Sequence, residues 1–285
     1  MVTTSKERPR RARKKAKPEA VVREKLILPT EANVPPERLS DSVVMIYGRK
    51  GIGKSSLAAQ FPNALTFMFE RGRRNLPIMQ LPKKGENKLT WAKFVDYVEL
   101  FLESDFKTAV IDTIDRAYLC CYEHVCKQAG VNTPDEHQAS YTIWDNIAGE
   151  FESVLSMIQD SDKGLVLLSH EKARPLIAKI KGLRREDEDS TFVYERLEPS
   201  CKPAAFRYIQ EICDFVFYYG FADEFRCLTV RSPNDIAWTS CGMSDTFLDP
   251  DGKPVSTFKV GTSADEAYLN LNASYNNELF DVDHI

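Results

Sequence analysis

Five short apolar runs recur along the middle of the chain, and polar or turn-forming residues bound each of them. The runs have the length of strands that are buried on both faces of a sheet. Apolar positions at helical spacing separate most of them. The predicted strands are residues 43–47, 64–69, 108–111, 165–168 and 215–219. The predicted helices are residues 55–60, 90–103, 117–126 and 144–158. This alternation predicts an α/β fold with a mostly parallel sheet and helices on both faces.

The two ends of the chain have a different pattern from the middle. Residues 1–25 lack a hydrophobic period and are predicted to be a disordered basic arm. The expected central domain covers residues 26–235, and residues 236–285 are expected to form a small C-terminal extension with an acidic tail. Residues 227–230 are a further candidate strand in the otherwise less regular part that follows Gly220.

Charge is distributed unevenly between these parts. The arm holds ten basic and three acidic residues, whereas the remaining 260 residues hold 28 basic and 39 acidic ones. Basic arms of this kind contact nucleic acid or acidic surfaces, or they are solvated tails. Both interpretations of residues 1–25 stay open.

Composition excludes several classes of protein. With 43% hydrophobic and 28% charged residues among 285, the chain is neither wholly disordered nor collagen-like. No stretch approaches the roughly 20 apolar residues of a membrane-spanning helix, and an apolar leader is lacking, so we expect a cytoplasmic protein without membrane contact. Seven cysteines without a C-x-x-C pair argue against a zinc site and for free thiols.

The strongest chemical signal is the sequence GRKGIGKS at residues 48–55, which fits the phosphate-binding P-loop pattern. Its glycines let backbone N–H groups surround phosphates, and it leaves a predicted strand and enters a predicted helix, as a P-loop does. Lys54 is expected to reach the β- and γ-phosphates of ATP, and the Ser55 hydroxyl is expected to bind Mg²⁺. The predicted nucleotide-binding residues are Gly48, Arg49, Lys50, Gly51, Ile52, Gly53, Lys54, Ser55 and Ser56.

Carboxylates and a histidine at strand ends are the candidates for the rest of the site. Asp112 ends an apolar strand, which favours a role as second Mg²⁺ ligand over helix capping, for which Asp115 is the rival. Glu70 follows another strand and could orient the attacking water, or it could be a surface residue that pairs with Arg71, Arg73 or Arg74. His170 follows the fourth strand and is either a γ-phosphate sensor or a partly exposed strand-end residue.

Residues 172–196 are rich in basic side chains and have no clean period. Such a segment could follow a nucleic-acid backbone, with Phe192 and Tyr194 stacking on bases, or it could be a β-hairpin or loop whose charges partly cancel. The candidate DNA contacts are Lys172, Arg174, Lys179, Lys181, Arg184 and Arg185.

Taken in order, these blocks resemble the phage nucleotide-binding proteins with a RecA-like AAA domain, which include the Sak-four type of single-strand-annealing ATPase. The similarity rests on the P-loop, on TFMFERG with the following Asn75 and Leu76, on VIDT, on LLSHEK and on CDFVFY, and it spans about residues 27–235. It implies a RecA-like P-loop NTPase in which Glu70, on the strand beside the P-loop strand, activates water and His170 senses the γ-phosphate.

The resemblance also implies partners and cofactors. ATP and Mg²⁺ are expected at the site, and single-stranded DNA is expected along residues 172–196, during recombination or replication. A homo-oligomer and a phage single-stranded-DNA-binding protein are the other expected partners. Arg226 and Arg231 are the arginines considered for a contact with a neighbouring subunit. Two other functions stay open: a small-molecule P-loop kinase, and a nucleotide-binding assembly or regulatory module that hydrolyses ATP slowly.

Overall fold

The computed structural model describes residues 36–70, 76–179 and 191–278, together with Leu28 and Thr30. The predicted basic arm at residues 1–25 lies outside this described part. Every element discussed below lies within the unit Pro36–Ile285.

Six parallel strands form the centre of one sheet. The strands of the structure are β1 Val43–Gly48, β2 Ala64–Met68, β3 Gln80–Leu81, β4 Thr108–Asp112, β5 Gly164–Lys179, β6 Thr191–Pro199, β7 Phe215–Ala222, β8 Phe225–Thr229, β9 Ser240–Cys241 and β10 Thr257–Lys259. The six central strands have the spatial order β7-β1-β5-β4-β2-β3. Two further strands extend the β7 edge by antiparallel pairing, β8 next to β7 and β10 next to β8. A mostly parallel α/β sheet is therefore confirmed.

Helices cover both faces of this sheet, as the sequence pattern predicts. They are α1 Lys54–Ala58, α2 Trp91–Leu102, α3 Ile114–Gln128, α4 Ser140–Gln159, α5 Pro203–Ile212 and α6 Ala264–Tyr275. All six residues of β1 are buried, and successive side chains enter opposite faces. Met45 and Tyr47 join the core under α2, α3, α4 and α5, whereas Val44 and Ile46 join the core under α1 and α6.

The fourth predicted strand is much longer than its apolar run. Strand β5 pairs with β1 up to His170 and then continues to Lys179 as an antiparallel partner of β6. We call this pair, residues 171–179 and 191–199, the hairpin arm. Residues 172–196 thus contain the β-hairpin that was one of the two interpretations, and His170 lies within a strand rather than at its end. The apolar run stops earlier because most of the side chains that follow are exposed.

The residues after 235 add to the same sheet and core. Strand β9 pairs with β7, β10 pairs with β8, and α6 buries Ala267, Leu271 and Tyr275. The hydrophobic pattern of α6 is too weak to predict the helix, but its N-terminal capping sequence is recognisable. Ser263 is the N-cap and its Oγ accepts a hydrogen bond from the Glu266 N–H at 3.1 Å, the Ser-x-x-Glu arrangement of a helix start.

Candidate functional site

The predicted phosphate loop connects β1 to α1 at the carboxyl edge of the sheet. Gly48 ends β1, residues 49–53 form the connection, and Lys54, Ser55 and Ser56 begin α1. A side chain at Gly48 would clash with the carbonyl oxygen of Tyr219 on the neighbouring β7. Gly53 has a φ of 119°, in the left-handed region that favours glycine. Both glycines are therefore required by the local backbone.

Lys54 lies buried inside this loop, with 3% of its surface exposed. Its Nζ donates to the carbonyl oxygens of Gly48 at 2.7 Å and Arg49 at 3.0 Å, and it lies 3.5 Å from Nδ1 of His170. The buried ammonium is held by the carbonyl groups of its own loop, next to the position where a P-loop places phosphate.

Ser55 and Asp112 form the second pair of the site. The Ser55 hydroxyl donates to Oδ2 of Asp112 at 2.5 Å, and both residues are 2% exposed. Asp112 is the last residue of β4, and the N-cap of the following α3 is Thr113, so Asp112 does not cap that helix. A hydroxyl and a carboxylate this close are the oxygen ligands that Mg²⁺ prefers.

The described residues contain no group of three or more His, Cys, Asp or Glu side chains that could hold a metal ion. Mg²⁺ is commonly bound through one or two protein oxygens, with water and substrate phosphates as its other ligands. Ser55 and Asp112 fit that pattern, and they would be the protein ligands of the ion.

Glu70 reaches the site by a route that the sequence analysis did not foresee. The sequence analysis expected its strand β2 to lie beside β1. This expectation is wrong, because β5 and β4 lie between the two strands. The chain that follows β2 stays close to β4: the N–H groups of Phe69 and Glu70 lie 2.7 and 3.3 Å from the carbonyl oxygen of Asp112. The Glu70 carboxylate Oε1 then lies 2.5 Å from Nε2 of His170. Arg71, Arg73 and Arg74, the alternative partners of Glu70, lie outside the described residues.

His170 joins the lysine and the carboxylate. It lies opposite Gly48 in the β1–β5 register, and its ring faces Lys54 with Nδ1 and Glu70 with Nε2. A lysine ammonium can only donate, so Nδ1 accepts, and the ring proton is assigned to Nε2, which donates to the carboxylate. The side chains are 26% exposed for His170 and 13% for Glu70, so both remain accessible to a small ligand.

The basic candidates for DNA contact divide into two groups. Lys172 and Arg174 lie on the hairpin arm, and both are exposed. Lys172 donates to the carbonyl oxygen of Cys201 at 3.4 Å, whereas Arg174 lies 3.5 Å from the buried carboxylate of Glu198. Lys179 ends β5. The other candidates, Lys181, Arg184 and Arg185, lie outside the described residues.

A polar network at the hairpin arm was not predicted from the sequence. Arg196 pairs with Glu198 at 2.7 Å and with Asp235 at 2.9 Å, and Tyr194 donates to Asp235 at 2.7 Å. These contacts lower the pKa of Asp235, through the hydrogen bonds from Tyr194 and Arg196. Part of the positive charge of the arm is thus matched by carboxylates of the same chain.

The two arginines considered for a contact between subunits both make contacts within their own chain. Arg231 donates to the carbonyl oxygens of Met243, Thr246, Phe247 and Val255, at 3.0 to 3.4 Å. Arg226 donates to the carbonyl oxygen of Thr262 at 2.9 Å. The guanidinium of Arg231 therefore holds the loop before β10 to the end of β8.

Comparison with known proteins agrees with this geometry. Residues 40–237 match the family described as AAA domain, which is more than half of the chain. The chain belongs to the AAA domain family. No curated protein matches it. AAA domains of this type are P-loop ATPases, which accounts for the phosphate loop and for the Ser55–Asp112 pair of this AAA domain. None of its described helices has the length and apolar character needed to cross a membrane.

Proposed function

We propose that this AAA domain binds ATP with Mg²⁺ and hydrolyses it by in-line attack of water on the γ-phosphate. The observation that carries the proposal is the contact of Glu70 with His170 at 2.5 Å, next to Lys54 and to the Ser55–Asp112 pair. Phosphoryl transfer needs positioned positive charge, a metal site and a group that orients the nucleophile. The five side chains supply all three at one edge of the sheet.

Each side chain has a definite part in this reaction. Lys54 exchanges its carbonyl partners for phosphate oxygens and neutralises charge that develops on them. Glu70 accepts a hydrogen bond from the attacking water and aligns it, and His170 keeps the carboxylate in place next to the γ-phosphate that it is proposed to sense. Ser55 and Asp112 would hold Mg²⁺, which supplies positive charge to the phosphate oxygens when bound.

Replacement of the P-loop lysine tests the site directly. Lys54→Ala should nearly abolish ATP binding, because it removes the one ammonium that is buried in the loop. Lys93→Ala is the matched control, since Lys93 lies exposed on α2, and it should bind ATP as the wild type does. Titration calorimetry with ATP and Mg²⁺ measures both variants. Unchanged ATP affinity in Lys54→Ala would refute the site.

We further propose that the ATPase acts on single-stranded DNA, as a homo-oligomer, in phage recombination or replication. Two features support this. The sequence resembles phage annealing ATPases, and β5 carries both His170 and the basic candidates Lys172 and Arg174. Single-stranded DNA could therefore lie along the part of β5 that continues beyond His170. A phage single-stranded-DNA-binding protein and a cytoplasmic location in the host belong to the same proposal.

The DNA proposal is tested by ATP hydrolysis with and without single-stranded DNA, at low and high salt. We expect stimulation that decreases as salt rises, because contacts with phosphates release counterions. Arg174→Ala should weaken the stimulation, whereas Lys93→Ala should not. Equal rates with and without DNA would reject the DNA role. A stoichiometric phosphorylated product from a small molecule would favour the kinase alternative instead.

A further inference from the structure

Asp115 is a carboxylate that the proposed mechanism leaves without a role. It lies in the first turn of α3, three residues after Asp112. Acidic side chains at this place commonly stabilise a helix by interacting with the positive end of its dipole. Its carboxylate turns toward the sheet instead. Oδ1 accepts hydrogen bonds from the hydroxyls of Ser169 and Ser200, each at 3.0 Å, and Oδ2 lies 3.1 Å from the Ser169 hydroxyl.

The same carboxylate reaches the backbone of His170, whose N–H donates to Oδ2 of Asp115 at 3.4 Å. Ser200 closes the arrangement, since its N–H donates to the carbonyl oxygen of His170 at 2.8 Å. Ser169 has no exposed surface, and Cys201, next to Ser200, is 2% exposed. The N–H of His170 is thus held by the Asp115 carboxylate, and its carbonyl oxygen is held by Ser200, which itself binds that carboxylate.

The position of these bonds in the fold gives them a consequence. Ser169 and His170 are the last residues of β5 that pair with β1, and Ser200 directly follows β6. Asp115 therefore joins both strands at the base of the hairpin arm to the helix that follows the metal-binding Asp112. The orientation of a functional side chain depends on how firmly its own backbone is fixed.

We propose that Asp115 is the positioning residue of the site: it fixes the backbone of His170, so that the imidazole meets both Glu70 and Lys54. The proposal rests on the proposed function in one respect, since it assigns His170 a part in ATP hydrolysis. Removal of the carboxylate should let His170 move by a fraction of its side-chain length, and small displacements of catalytic groups cost about 10- to 100-fold in rate.

The first test needs no ATP. In the full chain the imidazole nitrogens of the four histidines give separate signals in ¹H–¹⁵N spectra, and the His170 signals are those that vanish in His170→Ala. Asp115→Ala should shift the His170 signals. Asp265→Ala, which removes an exposed aspartate from the first turn of α6, should leave them unchanged. Unshifted His170 signals in a folded Asp115→Ala would overturn the proposal.

The second test uses ATP turnover in a double-mutant cycle. Asp115→Ala should lower kcat about 10- to 100-fold with little change in the KM for ATP, because the hydrogen bonds of Asp115 go to Ser169, His170 and Ser200. In a His170→Ala background the same change should have little further effect on kcat, since residues that act through each other are not additive. Full additivity of the two losses would show that Asp115 does not act through His170.

Two provisions keep the tests separate from each other. If Asp115→Ala does not fold, Ser200→Ala removes a single donor from the carboxylate and should produce a smaller shift of the His170 signals in the same direction. Its failure to shift them would overturn the proposal. If the wild-type chain does not hydrolyse ATP, the proposed function fails, but the spectra still decide whether Asp115 orients His170.

Discussion

The exchange of the Glu70 carboxylate for an amide separates its chemical role from its structural one. Glu70→Gln keeps the size of the side chain, and its amide oxygen can still accept the hydrogen bond from Nε2 of His170. A hydrogen bond to a charged acceptor is about twice as strong as a neutral one, so the loss of charge should cost about 1 kcal/mol of stability. The folded structure should therefore persist in the variant.

The expected effect on the reaction is much larger. A group that orients and partly deprotonates the attacking water contributes about 10²- to 10⁴-fold to the rate. That range corresponds to about 3 to 5 kcal/mol of activation free energy. Glu70→Gln should lose this contribution and keep ATP binding, because Lys54, Ser55 and Asp112 are unchanged.

Steady-state ATP hydrolysis and ATP binding by calorimetry, measured on the same preparations, give the two quantities. Glu99→Gln is the matched control, because Glu99 lies exposed on α2, and it should match the wild type in both. Wild-type turnover in Glu70→Gln would place the water-orienting group elsewhere. Loss of ATP binding together with turnover would contradict a role that is confined to the attacking water.

Three further substitutions test other parts of the structure. Ser55→Ala should raise the Mg²⁺ concentration needed for half-maximal turnover by about 10-fold or more, whereas exposed Ser153→Ala should not, and equal requirements would exclude Ser55 as a ligand. Gly48→Ala should destabilise the fold by about 1–3 kcal/mol in urea unfolding, because its methyl group meets the Tyr219 carbonyl oxygen; unchanged stability would contradict that close approach. Phe247→Ala should lower the free energy of unfolding by about 3–5 kcal/mol, and a change near zero would mean that the residues after 235 do not share the core. The Phe247 ring has no exposed surface and packs against the rings of Phe215, Phe217, Phe258 and Tyr275.

The parts of the fold that the sequence predicts are those encoded by short, local patterns. The apolar run of β1 and the two required glycines, Gly48 and Gly53, lie within a few residues of each other, so strand, loop and helix start are readable together. Strand β4 is similar, because its apolar run ends directly at Asp112. In each case the candidate site residues lie directly at the end of the apolar run, with no segment between them.

The parts that the sequence left open or missed depend on partners far away in sequence. Strand β5 continues past His170 because β6 supplies hydrogen bonds across a long connection, and neither strand of the arm carries a strong apolar signal. Helix α6 was missed for a related reason. Its Leu271 and Tyr275 become buried only when they pack against the β1 face of the sheet, and its own pattern is weak.

The convergence of Glu70 with the rest of the site shows why adjacency in the sheet is the wrong criterion for such a carboxylate. Parallel strands present their carboxyl ends at one edge, so a residue on a strand that two others separate from β1 needs only a connecting segment that bends along that edge. Here the segment is held by the carbonyl oxygen of Asp112, which lies within 3.3 Å of the N–H groups of Phe69 and Glu70. The main chain of Asp112 thus sets the position of Glu70, while the Asp112 side chain contacts Ser55. In the proposed mechanism, a displacement of the Asp112 main chain would therefore move Glu70 as well and change its alignment with the attacking water.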